Sequence, residues 1–154
     1  MKASLKIIAL AFLLGFSCLN NATAQVDGLG VGIVVGEPTG VSAKYWLDRS
    51  NALDGAVAWS FLDEGSFYLH ANYIHHHFEI IDLSSGEMPL YYGGGIKMKF
   101  ASDFVFGVHV PLGVAYHFEE APLDVFIEIR PGINFTPKTK FDMSGGIGIR
   151  YYFQ

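Results

Sequence analysis

The segment from Asp103 to Phe118, DFVFGVHVPLGVAYHF, alternates between two kinds of residue. Every second position from Phe104 is apolar, with aromatic residues at both ends, whereas the positions from Val105 to His117 are mostly small or polar. Side chains of a β-strand alternate between two faces, so this segment is predicted to be a long two-faced strand. A water-facing surface normally carries Lys, Glu, Thr and Ser rather than Gly, Pro and Ala. The pattern therefore predicts an apolar face toward lipid and a small or polar face toward the narrow interior of a barrel.

Seven further segments show the same alternation, most of them roughly 8 to 12 residues long. A tilted strand needs roughly 9–11 residues to cross a bilayer. Turn-forming residues separate the segments, and the longest connections run from about Phe78 to Met88 and from Thr136 to Asp142. The sequence therefore predicts an all-β fold, an eight-stranded antiparallel up-and-down transmembrane β-barrel. An even number of strands returns both ends of the chain to one side of the membrane.

The start of the chain has the features of a secretory leader. A basic start at Lys2, a short apolar run and an Ala-Thr-Ala site ending at Ala24 predict a signal peptide over residues 1–24. The barrel domain is then predicted over 25–154 and the mature protein in the cell outer membrane. Cys18 leaves a lipoprotein anchor open as an alternative.

The composition favours a membrane protein that spans the bilayer with β-strands. The chain is 51% hydrophobic and 15% aromatic and contains 18 glycines, yet nothing after the leader resembles a spanning helix. Without water in the bilayer, only helices or closed barrels satisfy every backbone group. The 15 acidic residues outnumber the 10 basic ones, which disfavours nucleic acid as a partner. Membrane lipid is the predicted partner, and the protein is predicted to be a monomer.

Three features carry a resemblance to a known class: a Gly-rich first strand, the turn G-x-P-T-G at Gly36–Gly40 followed by K-Y-W-L at Lys44–Leu47, and an aromatic last strand. The chain resembles the small eight-stranded outer-membrane barrels of Gram-negative bacteria, the class of the OmpA membrane domain and OmpX. It is most similar to an uncharacterised family of short barrels with this first turn. The resemblance implies that the barrel-assembly machinery recognises aromatic residues of the last strand, such as Tyr151 and Phe153. Gln154 follows these residues. It implies no settled activity.

Charged and polar residues assigned to the interior are predicted to form a structural cluster, because buried charges need partners or water. Residues opposite each other in a ladder share a face. Lys44 is therefore expected to meet Asp54, and His117 to meet Asp124. Glu128 is expected beside Arg130 and diagonal to Arg150. The predicted cluster consists of Lys44, Asp54, Lys97, Lys99, His117, Asp124, Glu128, Arg130 and Arg150.

The sequence predicts no catalytic, cofactor or metal site. The run His75-His76-His77, with Glu79 and Asp82 nearby, suggests a metal site, but a polar strand end explains the run equally well. Nucleophilic catalysis needs Ser or Thr beside an oriented His. The inward serines lie on strands away from His117, and the H-x-S pattern of barrel lipid A deacylases is absent.

The predicted function is a structural or envelope-integrity role without a wide pore. Two alternatives remain open, a surface binding or adhesion protein and a narrow solute or ion passage. A soluble lipocalin-like barrel would require the two faces of every strand to be inverted.

Two prolines mark the weakest part of the strand prediction. Proline has no N–H for a ladder and normally sits on an edge or at a bulge. If Phe118 pairs with Leu123, Pro111 faces Arg130 and Pro131 faces the residue before Pro111. The sequence therefore predicts a bulge or broken pairing there, with the side chain of Arg130 or water supplying the stranded carbonyls.

Overall fold

The computed structural model describes residues 26–37, 39–60 and 65–153, which contain strands and turns and no helix. Within these ranges, accordingly, no helix is long and apolar enough to span a membrane. The predicted leader, Cys18 and Gln154 lie outside the described residues. The strands are β1 (Leu29–Glu37), β2 (Thr39–Trp46), β3 (Asn51–Ser60), β4 (Ser66–His77), β5 (Leu90–Phe100), β6 (Phe104–His109), β7 (Leu112–His117), β8 (Leu123–Asn134) and β9 (Lys140–Phe153).

The strands pair into one closed antiparallel ring. Strands β1 to β5 pair in chain order, β8 pairs with β9, and β9 returns to β1. Strands β6 and β7 share one position in the ring, because both pair with β5 on one side and with β8 on the other. The predicted all-β, antiparallel, up-and-down order is therefore confirmed. The described part of the chain has nine strands at eight positions because the predicted sixth strand is divided.

The division falls at Pro111, where the sequence predicts an interruption. Both halves keep the predicted register against β8, with Leu112 opposite Ile129 and His109 opposite Gly132. The broken pairing is confirmed. Neither strand carries an extra residue across the gap, so the interruption occurs without a bulge.

The carbonyls of the two prolines keep their backbone donors at this gap. Gly93 N–H donates to the carbonyl of Pro111 at 3.1 Å, and Val110 N–H donates to the carbonyl of Pro131 at 2.9 Å. The carbonyls that lose a ladder donor are those of Gly93 and Val110, because their partners in these pairs are prolines. The expectation that the side chain of Arg130 would supply them was wrong, since its guanidinium contacts side chains inside the ring.

Alternate side chains separate into an outer and an inner set, as the period-two pattern predicts. Along β8, Ile127 and Ile129 are half exposed, whereas Glu128 and Arg130 are only 4% and 3% exposed. The same division holds on the other strands. The exposed outer set includes Leu29, Ile33, Val41, Leu53, Trp59, Tyr73, Ile96, Val108, Ile147 and Phe153.

Aromatic rings pack over glycines inside the ring. Phe126 lies opposite Gly148, and Tyr152 lies opposite Gly30. A Cβ on either glycine would collide with the ring of its partner. The glycines of the first and last strands therefore make room for large inward side chains.

Candidate functional site

The nine polar residues predicted for the interior all occupy inward-facing positions. Eight of them are almost completely buried, and Lys99 is partly buried. Around them lie further inward polar side chains that connect them across the ring. We call this set the interior network, and its members are the nine predicted residues with Ser42, His70, Asn72, His76, Tyr91, His109, Asp142 and Tyr152.

Arg150 forms the centre of the interior network. Its guanidinium lies 3.4 Å from a carboxylate oxygen of Asp54 and 3.5 Å from one of Asp124. Its Nε donates to Ser42 Oγ at 3.0 Å, and its face lies 3.8 Å from the centre of the Phe126 ring. A buried charge is costly unless it is paired, so this cation between two carboxylates stabilises all three.

Lys44 does not pair with its predicted partner. Its Cα lies opposite that of Asp54, but its Nζ lies 2.8 Å from Nε2 of His76 and 3.9 Å from Asp124. The Nδ1 of His76 is 3.1 Å from the carbonyl oxygen of Ser50. Since that oxygen can only accept, Nδ1 carries the proton, and Nε2 accepts from the Lys44 ammonium. Lysine is long enough to bypass the residue opposite and reach across the ring.

Glu128 and Arg130 approach each other as predicted, at 3.5 Å. Tyr91 donates its hydroxyl to Glu128 at 2.8 Å, and Arg130 lies 2.9 Å from Nε2 of His70. The predicted diagonal contact of Glu128 with Arg150 was wrong. The register places Arg150 opposite an earlier residue of β8, because β9 begins sooner than the sequence suggested.

His117 lies opposite Asp124 in the ladder, as predicted, but their side chains have different partners. Asp124 accepts a hydrogen bond from the hydroxyl of Tyr152 at 2.7 Å. Nδ1 of His117 lies 4.0 Å from a carboxylate oxygen of Glu87, outside the strands. The predicted His117–Asp124 pair is therefore corrected, since Oδ2 of Asp124 is contacted by Tyr152, Arg150 and Lys44 instead.

Lys97 contacts Asp142, a residue that the sequence assigned to a loop. Strand β9 begins at Lys140, so the predicted loop over 136–142 is shorter and Asp142 faces inward from a strand. The alternation was too weak at this end to predict that boundary.

Asn72 is a member of the network that sequence reasoning missed. Its Nδ2 donates to Asp54 at 2.7 Å, and its Oδ1 lies 2.5 Å from Nε2 of His109. The parity of these residues indicated that they face inward. Parity alone gives no information on which inward side chains meet.

The three consecutive histidines divide between the two faces, with His75 and His77 in contact on the outer one. His76 faces inward to Lys44, His75 lies 2.7 Å from the side-chain oxygen of Asn51, and His77 stacks on Tyr92 with ring centres 5.4 Å apart. Within the described part of the chain, no three His, Cys, Asp or Glu side chains converge as a metal site requires.

A cavity of about 1020 Å³ opens at the end of the ring where β1 begins and β9 ends. We call it the end cavity. Its wall includes the connection between β4 and β5, and its floor includes Trp46, Phe78 and His117. The lining residues are Val26, Asp27, Trp46, Leu47, Asp48, Arg49, Phe78, Leu83, Ser84, Ser85, Gly86, Glu87, His117, Phe118 and Glu119.

Backbone and side-chain hydrogen bonds fix this wall against β7. Glu87 N–H donates to the carbonyl of His117 at 3.1 Å, and His117 N–H donates to the carbonyl of Glu87 at 2.8 Å. Ser85 Oγ donates to Glu119 at 2.7 Å. Gly86 has a φ of 72°, a conformation that favours glycine, and a Cβ there would lie 2.7 Å from the carbonyl of His117. The longest connection is therefore an ordered element.

The β2–β3 turn forms another part of the cavity rim. Asp48 accepts hydrogen bonds from the side chain of Asn51 and from the backbone N–H groups of Ser50 and Asn51. These bonds, with the Asn51 side chain contributing most, hold the pKa of Asp48 below its ordinary value. Asp48 therefore contributes a full negative charge to the rim at neutral pH.

Comparison with known proteins gives no match to a protein-family model, a curated protein or a solved structure.

Proposed function

We propose that the protein is a monomeric, integral outer-membrane β-barrel that contributes to envelope structure and has no wide pore. The main support for this proposal is the distribution of side chains in the ring, which is the reverse of that in a water-soluble protein. Its outer surface exposes large apolar side chains, and its interior buries Lys, Arg, Asp and Glu. A protein surrounded by water rarely exposes so large an apolar surface, and lipid is the solvent that suits this one.

Aromatic residues at one end of the outer surface support the proposal. Neighbouring outward rings of β3 to β6 lie in a row at the end opposite the end cavity. The ring centres of Trp59 and Phe67 are 5.9 Å apart, those of Phe67 and Phe100 6.1 Å, and those of Phe100 and Phe104 5.3 Å. Such a row is typical of the aromatic girdle at a membrane interface.

Outward aromatic residues also occur at the end that holds the end cavity. Tyr92 contacts both His75 and His77, with ring centres 6.1 and 5.4 Å apart. On β9, the ring centres of Tyr151 and Phe153 are 5.2 Å apart. Two aromatic ends with aliphatic residues between them match the apolar band of a spanning barrel.

The packed interior supports a role without a wide pore. Lys44 and Arg150 are 1% and 2% exposed, and Tyr152 is fully buried. An eight-stranded ring has an interior just wide enough for side chains to fill. The interior network therefore acts as a fixed plug that joins strands on different sides of the ring.

The leader and the class resemblance support the location. A cleaved signal peptide over residues 1–24 would deliver the chain to the envelope, and aromatic residues in β9 would allow recognition by the barrel-assembly machinery. Surface adhesion and a narrow ion passage are the competing functions.

Fractionation of cells tests the proposal directly. The mature protein is expected in the outer membrane, to resist carbonate extraction, and to migrate differently on gels before and after boiling. Recovery as a soluble periplasmic protein would refute the membrane assignment.

Two further measurements separate the competing functions. Reconstitution into planar bilayers is expected to give no stepwise conductance, whereas a reproducible ion-selective conductance would favour the passage. A deletion strain is expected to show greater envelope permeability and detergent sensitivity. Loss of surface attachment with normal envelope permeability would favour adhesion.

A further inference from the structure

We infer that the end cavity binds a basic, amphipathic peptide segment. This inference goes beyond the proposed structural role, because it concerns the mouth of the ring rather than its wall or interior. It depends on the charge of the rim, the apolar lining, the buried cation beside the floor and the order of the wall.

The rim charge favours a cationic ligand. The lining carries four carboxylates, those of Asp27, Asp48, Glu87 and Glu119, and one guanidinium, that of Arg49. The hydrogen bonds that Asp48 and Glu119 accept, from Asn51 and Ser85, come from neutral donors and leave both charges uncompensated. A positively charged partner is therefore attracted and oriented by this surface.

The apolar lining requires more than a simple cation. Val26, Leu47, Phe78, Leu83 and Phe118 also line the cavity. A metal ion or a small amine would leave these side chains in contact with water. A ligand that alternates basic and apolar side chains covers both kinds of surface at once.

The floor of the cavity is formed by buried aromatic rings, and a buried ammonium lies beside it. Nε1 of Trp46 and Nε2 of His117 are buried and have no hydrogen-bond partner, although both side chains line the cavity. Trp46 and His117 are 6% and 4% exposed. Lys44 lies 4.2 Å from the centre of the Trp46 ring, so the basic side chains of the ligand belong at the acidic rim rather than on the floor.

The volume and order of the cavity are suited to binding. About 1020 Å³ lies at the upper end of the range for ligand pockets. The paired hydrogen bonds between Glu87 and His117 fix the wall before a ligand arrives. A preformed wall reduces the entropy cost of association.

The chain provides its own fluorescent reporter for a test. Trp59 lies on the outer surface, so Trp59→Phe leaves Trp46 as the single tryptophan at the cavity floor. This variant, in phosphatidylcholine nanodiscs, is titrated with acetyl-Lys-Leu-Lys-amide and with acetyl-Glu-Leu-Glu-amide. The basic peptide is expected to change the Trp46 emission saturably, and the acidic peptide is expected to leave it unchanged.

Matched charge variants show where the peptide binds. Glu87→Gln with Glu119→Gln removes two lining carboxylates and is expected to weaken binding about fivefold, since two exposed ion pairs contribute about 0.5 kcal/mol each. Glu79→Gln with Glu120→Gln removes two carboxylates that do not line the cavity and is expected to leave the affinity unchanged. Leu83→Ser is expected to weaken binding without changing the charge.

Three results would overturn the inference. They are an absence of saturable change up to millimolar peptide, an equal response to the acidic peptide, and an equal loss of affinity in both double variants. The last would show that binding follows overall charge and does not involve the cavity. The gel shift on boiling, measured on every variant, reports separately on whether the ring is folded.

Discussion

The outer and inner surfaces of the ring differ in chemistry although they alternate residue by residue. On β8, Ile127 is 50% exposed and its neighbour Glu128 is 4% exposed. In a water-soluble sheet the exposed position would carry the charge and the buried position the aliphatic side chain. One strand therefore presents an apolar face outward, which the proposed location would place in lipid, and a packed polar network inward. Each face should respond differently to substitution.

The largest effect is expected inside the ring. Arg150→Met would leave Asp54 and Asp124 buried without their cation, so we expect the free energy of unfolding in detergent to fall by about 3–5 kcal/mol. Denaturant titrations measure this change. Arg49→Met removes the same charge from an exposed turn and is expected to cost less than about 1 kcal/mol. Equal effects of the two substitutions would show that the network does not stabilise the interior.

A charge on the outer surface is expected to have the next largest effect. Ile127→Arg places a cation at mid-strand on the apolar face and should cost about 2–4 kcal/mol in lipid, or prevent assembly. Leu29→Arg, at the first residue of β1 on the same outer face, should cost about 1 kcal/mol or less because the cost falls toward the interface. Refolding into vesicles measures both. An unaffected Ile127→Arg protein would mean that this face meets water.

Single hydroxyl groups allow a finer comparison of the two surfaces. Tyr152→Phe removes the donor to Asp124 and should cost about 1–3 kcal/mol, because a buried charged acceptor loses its partner. Tyr73→Phe, on the exposed outer face, should change stability by less than about 0.5 kcal/mol. The urea midpoints of unfolding measure the stability lost in each variant. A larger effect at Tyr73 would reverse the assignment of inside and outside.

The smallest expected effect concerns the backbone at Pro111. Two prolines at the same height remove ladder donors from neighbouring strands, so amides near Val110 and Arg130 should exchange faster than those of Val57 or Ile149. Hydrogen exchange in micelles, read by NMR, measures this difference. Uniform protection along all the strands would show that the prolines do not weaken the ladder.

The sequence predicted the faces and much of the pairing because both depend on local rules. A period of two assigns each residue to a face, and short turns then set the register, so Lys44 opposite Asp54 and the gap at Pro111 could be derived. The same rules also placed all nine predicted polar residues on the inner face.

The contacts inside the ring could not be derived in the same way. Lys44 reaches His76 from a strand two positions away, and Arg150 lies between carboxylates of β3 and β8. These contacts depend on the width of the ring and on side-chain rotamers, neither of which alternation specifies. The end cavity was missed because its wall is an irregular segment held by hydrogen bonds between loop and strand, which have no periodic signal.

The two tryptophans report separately on the two surfaces, because Trp59 lies on the outer surface and Trp46 on the inner one. Each is studied alone, through Trp46→Phe and Trp59→Phe, in vesicles whose lipids carry bromine on the acyl chains. The fluorescence of Trp59 is expected to be strongly quenched and that of Trp46 only weakly. Equal quenching of the two, or stronger quenching of Trp46, would contradict an outer surface that faces lipid.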